Sequence, residues 1–188
     1  ALPGKNNILV IAPHGHPKDD MNTGEIARRL HETLGCYAVI NEYYQKPKSS
    51  GLDKPDIDKG LADLYRWDHI NRFKKLKKDF LDPVLSFKDE ILNKYQCLYV
   101  IHIHGIGDPN ISRVAEIVED DDRKTKDLHA LVGYGQWAND NSRVTADAEK
   151  FVHPFIEELG SQGLKTAIAP TKDIIGTDGK KKWYCGYD

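Results

Sequence analysis

Cysteine is scarce in this chain: Cys36, Cys97 and Cys185 are the three in 188 residues, far apart and odd in number. A disulfide scaffold is thereby excluded, and Cys36 and Cys97, which fall in apolar runs, are expected as reduced core thiols. Long hydrophobic stretches are missing too. No run of 18 apolar residues occurs and the first residues carry no signal-peptide core, so the chain is expected to be soluble and cytoplasmic, with no membrane partner. An excess of either charge is lacking as well: the formal net charge is -2. No global field then favours nucleic acid or an anionic membrane, and a small polar substrate bound at a local site fits best. Internal repeats and low-complexity tracts are absent. What is present is an ordinary globular balance, 39% apolar and 30% charged residues, enough for a self-sufficient core in a single domain spanning 1–188.

Hydrophobic patterning then places the elements. Asn7 to Pro13 is a short, continuous, β-branched run suited to a buried central strand. Asn22 and Glu25 stand at capping-box spacing, and Ile26, Ala27, Leu30 and Leu34 recur at helical spacing up to Gly35, which predicts a helix. Cys36 to Asn41 is the next strand, so the opening is strand, helix, strand, and a parallel crossover is the economical topology. The polar, Pro- and Ser-containing stretch 42–60 is expected as a long surface loop, and 60–93 as largely helical with a break at Pro83. Gln96 to His104 is a second continuous apolar strand, expected to be central. Leu128 to Tyr134 and Leu164 to Ala169 are further strands. Between them Thr145 to Leu159 is a helix kinked at Pro154 and stopped by Gly160, and a hairpin around Thr177 to Gly179 closes the chain. The class is α/β.

The chemistry-capable residues concentrate in 12–25, a Pro- and Gly-containing loop between the first strand and the first helix that holds His14, His16, Asp19 and Asp20. In α/β proteins, ligands gather where loops leave the carboxyl ends of central strands. His102 and His104 close another predicted strand, so two distant segments would present imidazoles to one crevice if those strands are neighbours. A catalytic zinc needs about three His and Asp/Glu ligands and one open position for water. The inventory suffices, although His-x-His alone is not specific, and His16 or His102 could equally serve structural roles.

The pattern Pro13-His14-Gly15, an acidic residue a few positions on, Thr23-x-Glu25-Ile26-Ala27, then Ile103-His104-Gly105, resembles the N-formylglutamate amidohydrolase family and the related zinc-dependent poly-γ-glutamate hydrolases. Asp63-Leu64-Tyr65-Arg66 is similar to that family's Asp-Leu-Asn-Arg. The resemblance implies a three-layer α/β/α fold with a mostly parallel or mixed central sheet, hydrolase-like and related to zinc carboxypeptidases. It implies Zn2+ held by His14, one of Asp19 or Asp20, and His104, with Asp19 preferred and with His16 and His102 as alternates. His104 ranks above His102 because a glycine follows it. Arg66, or Arg72 preceded by Asn71, would pair with a substrate carboxylate, the planar guanidinium binding both oxygens at once. Tyr65 stands where the family has asparagine. The family's general-base glutamate, in a segment beyond the last strand, has no counterpart before Asp188, which makes Asp108 the first candidate base.

The function expected is zinc-dependent hydrolysis of an amide bond in an N-acyl amino acid or γ-glutamyl-type substrate. The alternative is a non-catalytic metal- or ligand-binding protein of the same fold. A third reading, phosphate loops at Gly105-Ile106-Gly107 and Gly133-Tyr134-Gly135, ranks low because neither has the full glycine-rich fingerprint.

Overall fold

The structure, a computed structural model, describes residues 1–47, 55–64, 66–105, 129–133, 148–168, 174–175 and 181–182. The fold is mixed α/β, and the chain falls into two compact units, Ala1–Gly105 and Ile106–Asp188. No helix among the described residues is long and apolar enough to cross a membrane.

In the first unit β1 (Ile8–Ala12) lies between β2 (Tyr37–Ile40) and β3 (Tyr99–His102), and both pairings are parallel. The alternation of β1 decides which helix covers which side. Val10 and Ala12 are grouped with Ala38 of β2 and with Ala27 and Leu30 of α1 (Thr23–Leu34). Leu9 and Ile11 are grouped instead with Tyr37 and Val39, with Ile70 of α2 (Trp67–Arg72), Leu76 of α3 (Lys74–Leu76), Phe80, and Ile91 of α4 (Asp82–Tyr95). β1 is continuously apolar because both its faces are buried, and Leu9 and Val10, at 1% and 0% exposure, each contribute about 2 kcal/mol by leaving water.

The boundaries of α1 follow chemistry legible in part. Gly35 adopts φ 66° at its carboxyl end and its N–H bonds the His31 carbonyl, the left-handed stop glycine allows. The amino end differs from the expected capping box. Asn22 itself is left-handed, φ 70°, and no side chain caps the helix. The Thr23 hydroxyl bonds instead the carbonyls of Asp20 and His14, tying the helix start to the loop.

The stretch expected to break at Pro83 is helical on both sides of it. A π-helical turn, Lys77–Leu81, leads directly into α4, and Pro83, which has no backbone N–H to donate, falls in the first turn of α4 where the chain passes from π to α geometry. β3 is an edge of the described three-stranded sheet rather than its centre, and Tyr99 and Val100 are correspondingly 42% and 46% exposed. Cys36 is buried as expected, whereas Cys97 is exposed, with its Sγ accepting from Asn7 Nδ2 at 2.8 Å; Cys185 lies outside the described residues.

In the second unit β4 (Ala130–Val132) pairs in parallel with β5 (Thr166–Ile168), and α5 (His153–Ser161) precedes β5. A π-helical turn, Ala148–Val152, stands before α5, Pro154 falls in the first turn of that helix, and the helix continues through Gly160. β6 (Ile174–Ile175) and β7 (Lys181–Lys182) pair antiparallel, and the turn expected at Thr177 to Gly179 lies outside the described residues.

Candidate metal centre

Parallel register brings the two histidine segments together. Ile11 of β1 stands opposite His102 of β3, and the Ile103 N–H bonds the Ile11 carbonyl, so two residues further on His104 arrives beside the turn that follows β1. That turn is closed by short-range backbone bonds, Gly15 N to the Ala12 carbonyl, Asp19 N to the His16 carbonyl and Asp20 N to the His14 carbonyl. Asn41, buried at the end of β2, braces it from the side by donating to the carbonyls of Pro13 and Tyr44.

The result is a three-residue cluster. His14, Asp20 and His104 each offer one ligand atom, and these lie within 4.8 Å of one another. Asp20 Oδ2 is 3.3 Å from His14 Nδ1 and 3.6 Å from His104 Nδ1, and the two rings meet edge to face at 5.2 Å. Ligand atoms about 2.1 Å from one tetrahedral ion stand roughly 3.4 Å apart. The two carboxylate-to-imidazole distances match that edge length, and the donor set of two imidazoles and one carboxylate suits Zn2+.

Behind the cluster stands a residue to which sequence reasoning assigned no role. Asp63, 7% exposed, places Oδ1 at 2.8 Å from His14 Nε2. With Nε2 hydrogen-bonded to a carboxylate, Nδ1 is the nitrogen left to face Asp20 and an ion, the arrangement in which an outer carboxylate fixes the tautomer of a metal-ligating histidine. Asp63 opens the Asp63-Leu64-Tyr65-Arg66 motif, in which the resemblance gives a role to the arginine alone.

Asp20, the alternate in the sequence reading, is the aspartate that joins the cluster. Its Oδ2 also accepts the Gly105 N–H at 2.8 Å. The glycine after His104 has a steric reason here, since a Cβ at residue 105 would lie 2.9 Å from Asp20 Cβ. The preferred Asp19 turns elsewhere, with its Oδ2 accepting the Lys46 N–H at 2.7 Å. His16 faces its own loop, its Nδ1 accepting the Lys18 N–H. His102 stacks parallel to His104 at 6.5 Å and is exposed.

The proposed carboxylate binders lie on and beside α2. Arg66 engages Asp68 in a two-point pair, Nε to Oδ1 at 3.1 Å and Nη2 to Oδ2 at 2.8 Å. The Arg72 guanidinium lies 5.5 Å from the centre of the Phe73 ring, and Asn71 is exposed. Asp108 and the second glycine of both candidate phosphate loops fall outside the described residues.

Electrostatics ties the cluster together. Burial works against a charged His14, but its hydrogen bonds to Asp20 and Asp63 and the charges of both outweigh it and raise the pKa from 6.5 to about 9. Burial likewise opposes charge on Asp20, yet hydrogen bonds from His104, His14 and the Gly105 N–H hold its carboxyl well below the usual range. A pKa raised on folding stabilises the metal-free protein fully below pH 6.5, and that contribution is lost as pH rises through 9. An ion at Nδ1 must displace its proton. The metal-free protein should therefore lose thermal stability between pH 6.5 and 9. Zinc binding over the same window should tighten with pH and release a proton, measurable by calorimetry in buffers of different ionisation enthalpy. A zinc affinity flat across that window would contradict this picture.

Compared with protein families, with curated proteins and with solved structures, the chain matches none.

Proposed function

We propose that this chain is a zinc-dependent amidohydrolase acting on a small N-acyl amino acid or γ-glutamyl-type substrate. The observation that supports it most is the juxtaposition of His14, Asp20 and His104, with Asp20 at tetrahedral-edge distances from both imidazoles and Asp63 behind His14. His14 through Nδ1, Asp20 through Oδ2 and His104 would hold the ion, leaving a position open. Zinc, when bound, supplies a Lewis-acidic centre and water acidified towards neutrality.

The protein's own groups do the rest. Asp63 holds the Nε2 proton of His14 and so fixes the direction of Nδ1. The Gly105 N–H fixes the Asp20 carboxylate, and the Thr23 hydroxyl pins the Asp20 carbonyl. In this reading Arg66 or Arg72 receives the substrate carboxylate, Asn71 assists, and Asp108 takes the proton as general base. The resemblance to N-formylglutamate amidohydrolases supports the substrate class, and with it a three-layer α/β/α architecture, a cytoplasmic setting and a small-molecule partner.

A second reading, a metal- or ligand-binding protein without turnover, is favoured by the two-point Arg66–Asp68 pair. A guanidinium must leave that pair before it can meet a substrate.

One experiment separates the readings. Purified protein should carry one zinc per chain by elemental analysis and release amine from a panel of N-formyl, N-acetyl and γ-glutamyl amino acids. Tight zinc without release from any of them would move the conclusion to the second reading, and failure to bind zinc would end the first reading and the metal-binding form of the second.

A further inference from the structure

His69 lies in the first turn of α2 and is 2% exposed. Its Nδ1 accepts the backbone N–H of Asp63 at 3.1 Å. A nitrogen that accepts has its lone pair free, so the proton of this imidazole is on Nε2. Among the described residues, that buried Nε2 has no hydrogen-bond partner. A buried donor without an acceptor is a cost, and a leucine or phenylalanine would fill a closed space without it. Packing alone therefore does not account for an imidazole here. What an apolar side chain could not do is accept from Asp63.

Asp63 is the residue whose carboxylate aims His14. Its Oδ1 meets His14 Nε2 at 2.8 Å, its Oδ2 lies 4.0 Å from Lys46 Nζ, and its own carbonyl receives the Arg66 N–H at 3.2 Å. The backbone N–H bond to His69 fixes the peptide plane from which that side chain departs. We infer that His69 is a positioning residue for the metal centre, holding Asp63 so that Asp63 holds His14, in a chain of contacts His69–Asp63–His14. This rests on the proposed metal site, but the orientation of His14 can be read without any metal.

Three variants test it. His69→Leu removes the acceptor and keeps an apolar side chain in the closed space. His69→Asn keeps an acceptor atom, Oδ1, near the place of Nδ1 and exchanges the Nε2 donor for an amide NH2. Asp63→Ala removes the group through which His69 would act. Zinc dissociation constants should rise about tenfold in His69→Leu and stay within roughly threefold of the parent in His69→Asn. Adding His69→Leu to Asp63→Ala should change affinity no further than Asp63→Ala alone. A role confined to packing would lower the thermal midpoint in both His69 variants and leave the zinc constants alone.

The metal-free readout is long-range nitrogen–proton NMR of the imidazoles. His69 should show the neutral form with its proton on Nε2. The hydrogen-bonded Nε2 proton of His14 should persist in the parent and His69→Asn and weaken or vanish in His69→Leu. If His69→Leu fails to fold, the His69 tautomer in the parent and the behaviour of His69→Asn still decide the matter. A folded His69→Leu protein with parental zinc affinity, equal losses in the Leu and Asn variants, or a proton on His69 Nδ1 would each overturn the inference. Absence of zinc binding in the parent would refute the metal reading, and the NMR signals would still judge the positioning.

Discussion

Replacing His14 with alanine is expected to abolish zinc retention and destabilise the metal-free protein, whereas His104→Ala should do only the first. Each change removes one of three protein ligands, and loss of one is worth roughly a thousandfold in affinity, about 4 kcal/mol. The difference between them comes from what stands behind each ring. His14 is 5% exposed and faces Asp63, itself 7% exposed, at 2.8 Å. Deleting the imidazole takes away the group that balances a buried carboxylate, a loss of about 3 kcal/mol. His104 is more open, with 26% of its side chain exposed, and meets Asp20, which keeps its bond from the Gly105 N–H. Zinc content by elemental analysis and chemical denaturation of the metal-free variants check both halves. If both variants keep zinc at parental stoichiometry, the ligand assignment is wrong; if both unfold equally easily, the role given to Asp63 is.

Gly105→Ala should damage the metal centre while leaving most of the fold intact. The added Cβ would approach Asp20 Cβ to 2.9 Å, Asp20 Cα to 3.2 Å and Asp20 Cγ to 3.3 Å, closer than carbon atoms normally pack. Either the Asp20 turn or the segment after β3 must shift, and the Gly105 N–H bond to Asp20 Oδ2 shifts with it. Gly105 is exposed, so relief by movement costs the core little. Zinc affinity should fall about 10- to 100-fold, the range for disturbing groups that orient a ligand. The thermal midpoint of the metal-free protein should change by only a few degrees. Parental affinity in this variant would mean that the Gly105 N–H does not orient the Asp20 carboxylate.

How much of this was legible depended on whether the deciding contact was local. β1, α1 and β2 were readable because continuous β-branched runs, an apolar helical period and a terminal Gly35 are properties of neighbouring residues. The expected capping box of α1 does not form because Asn22 takes a left-handed backbone and the Thr23 hydroxyl reaches into the preceding turn, which spacing does not reveal. β3 looked central because its composition is apolar, but its place is set by the strands it pairs with. The choice between adjacent aspartates turned on a long-range partner. Lys46, 27 residues after Asp19, offers the N–H that draws the Asp19 carboxylate away, while Gly105 draws Asp20 in. The carboxyl ends of strands drew attention to both histidine pairs, and the family resemblance, through Pro13-His14-Gly15 and Ile103-His104-Gly105, singled out His14 and His104 from them. Asp63 needed the path of the 55–64 segment back to β1, 49 residues from His14, and no pattern in the sequence encodes that distance.

The cluster joins parts of the chain 85 residues apart, at Asp20 and Gly105, through a parallel pairing of β1 and β3. Such pairing closes a long loop before any contact rewards it, so it forms slowly and late. An ion that needs both His14 and His104 meets a finished site only after the strands have met. Metal then acts on one side of the kinetic barrier: it should slow the escape from the native state and leave the approach to it nearly unchanged.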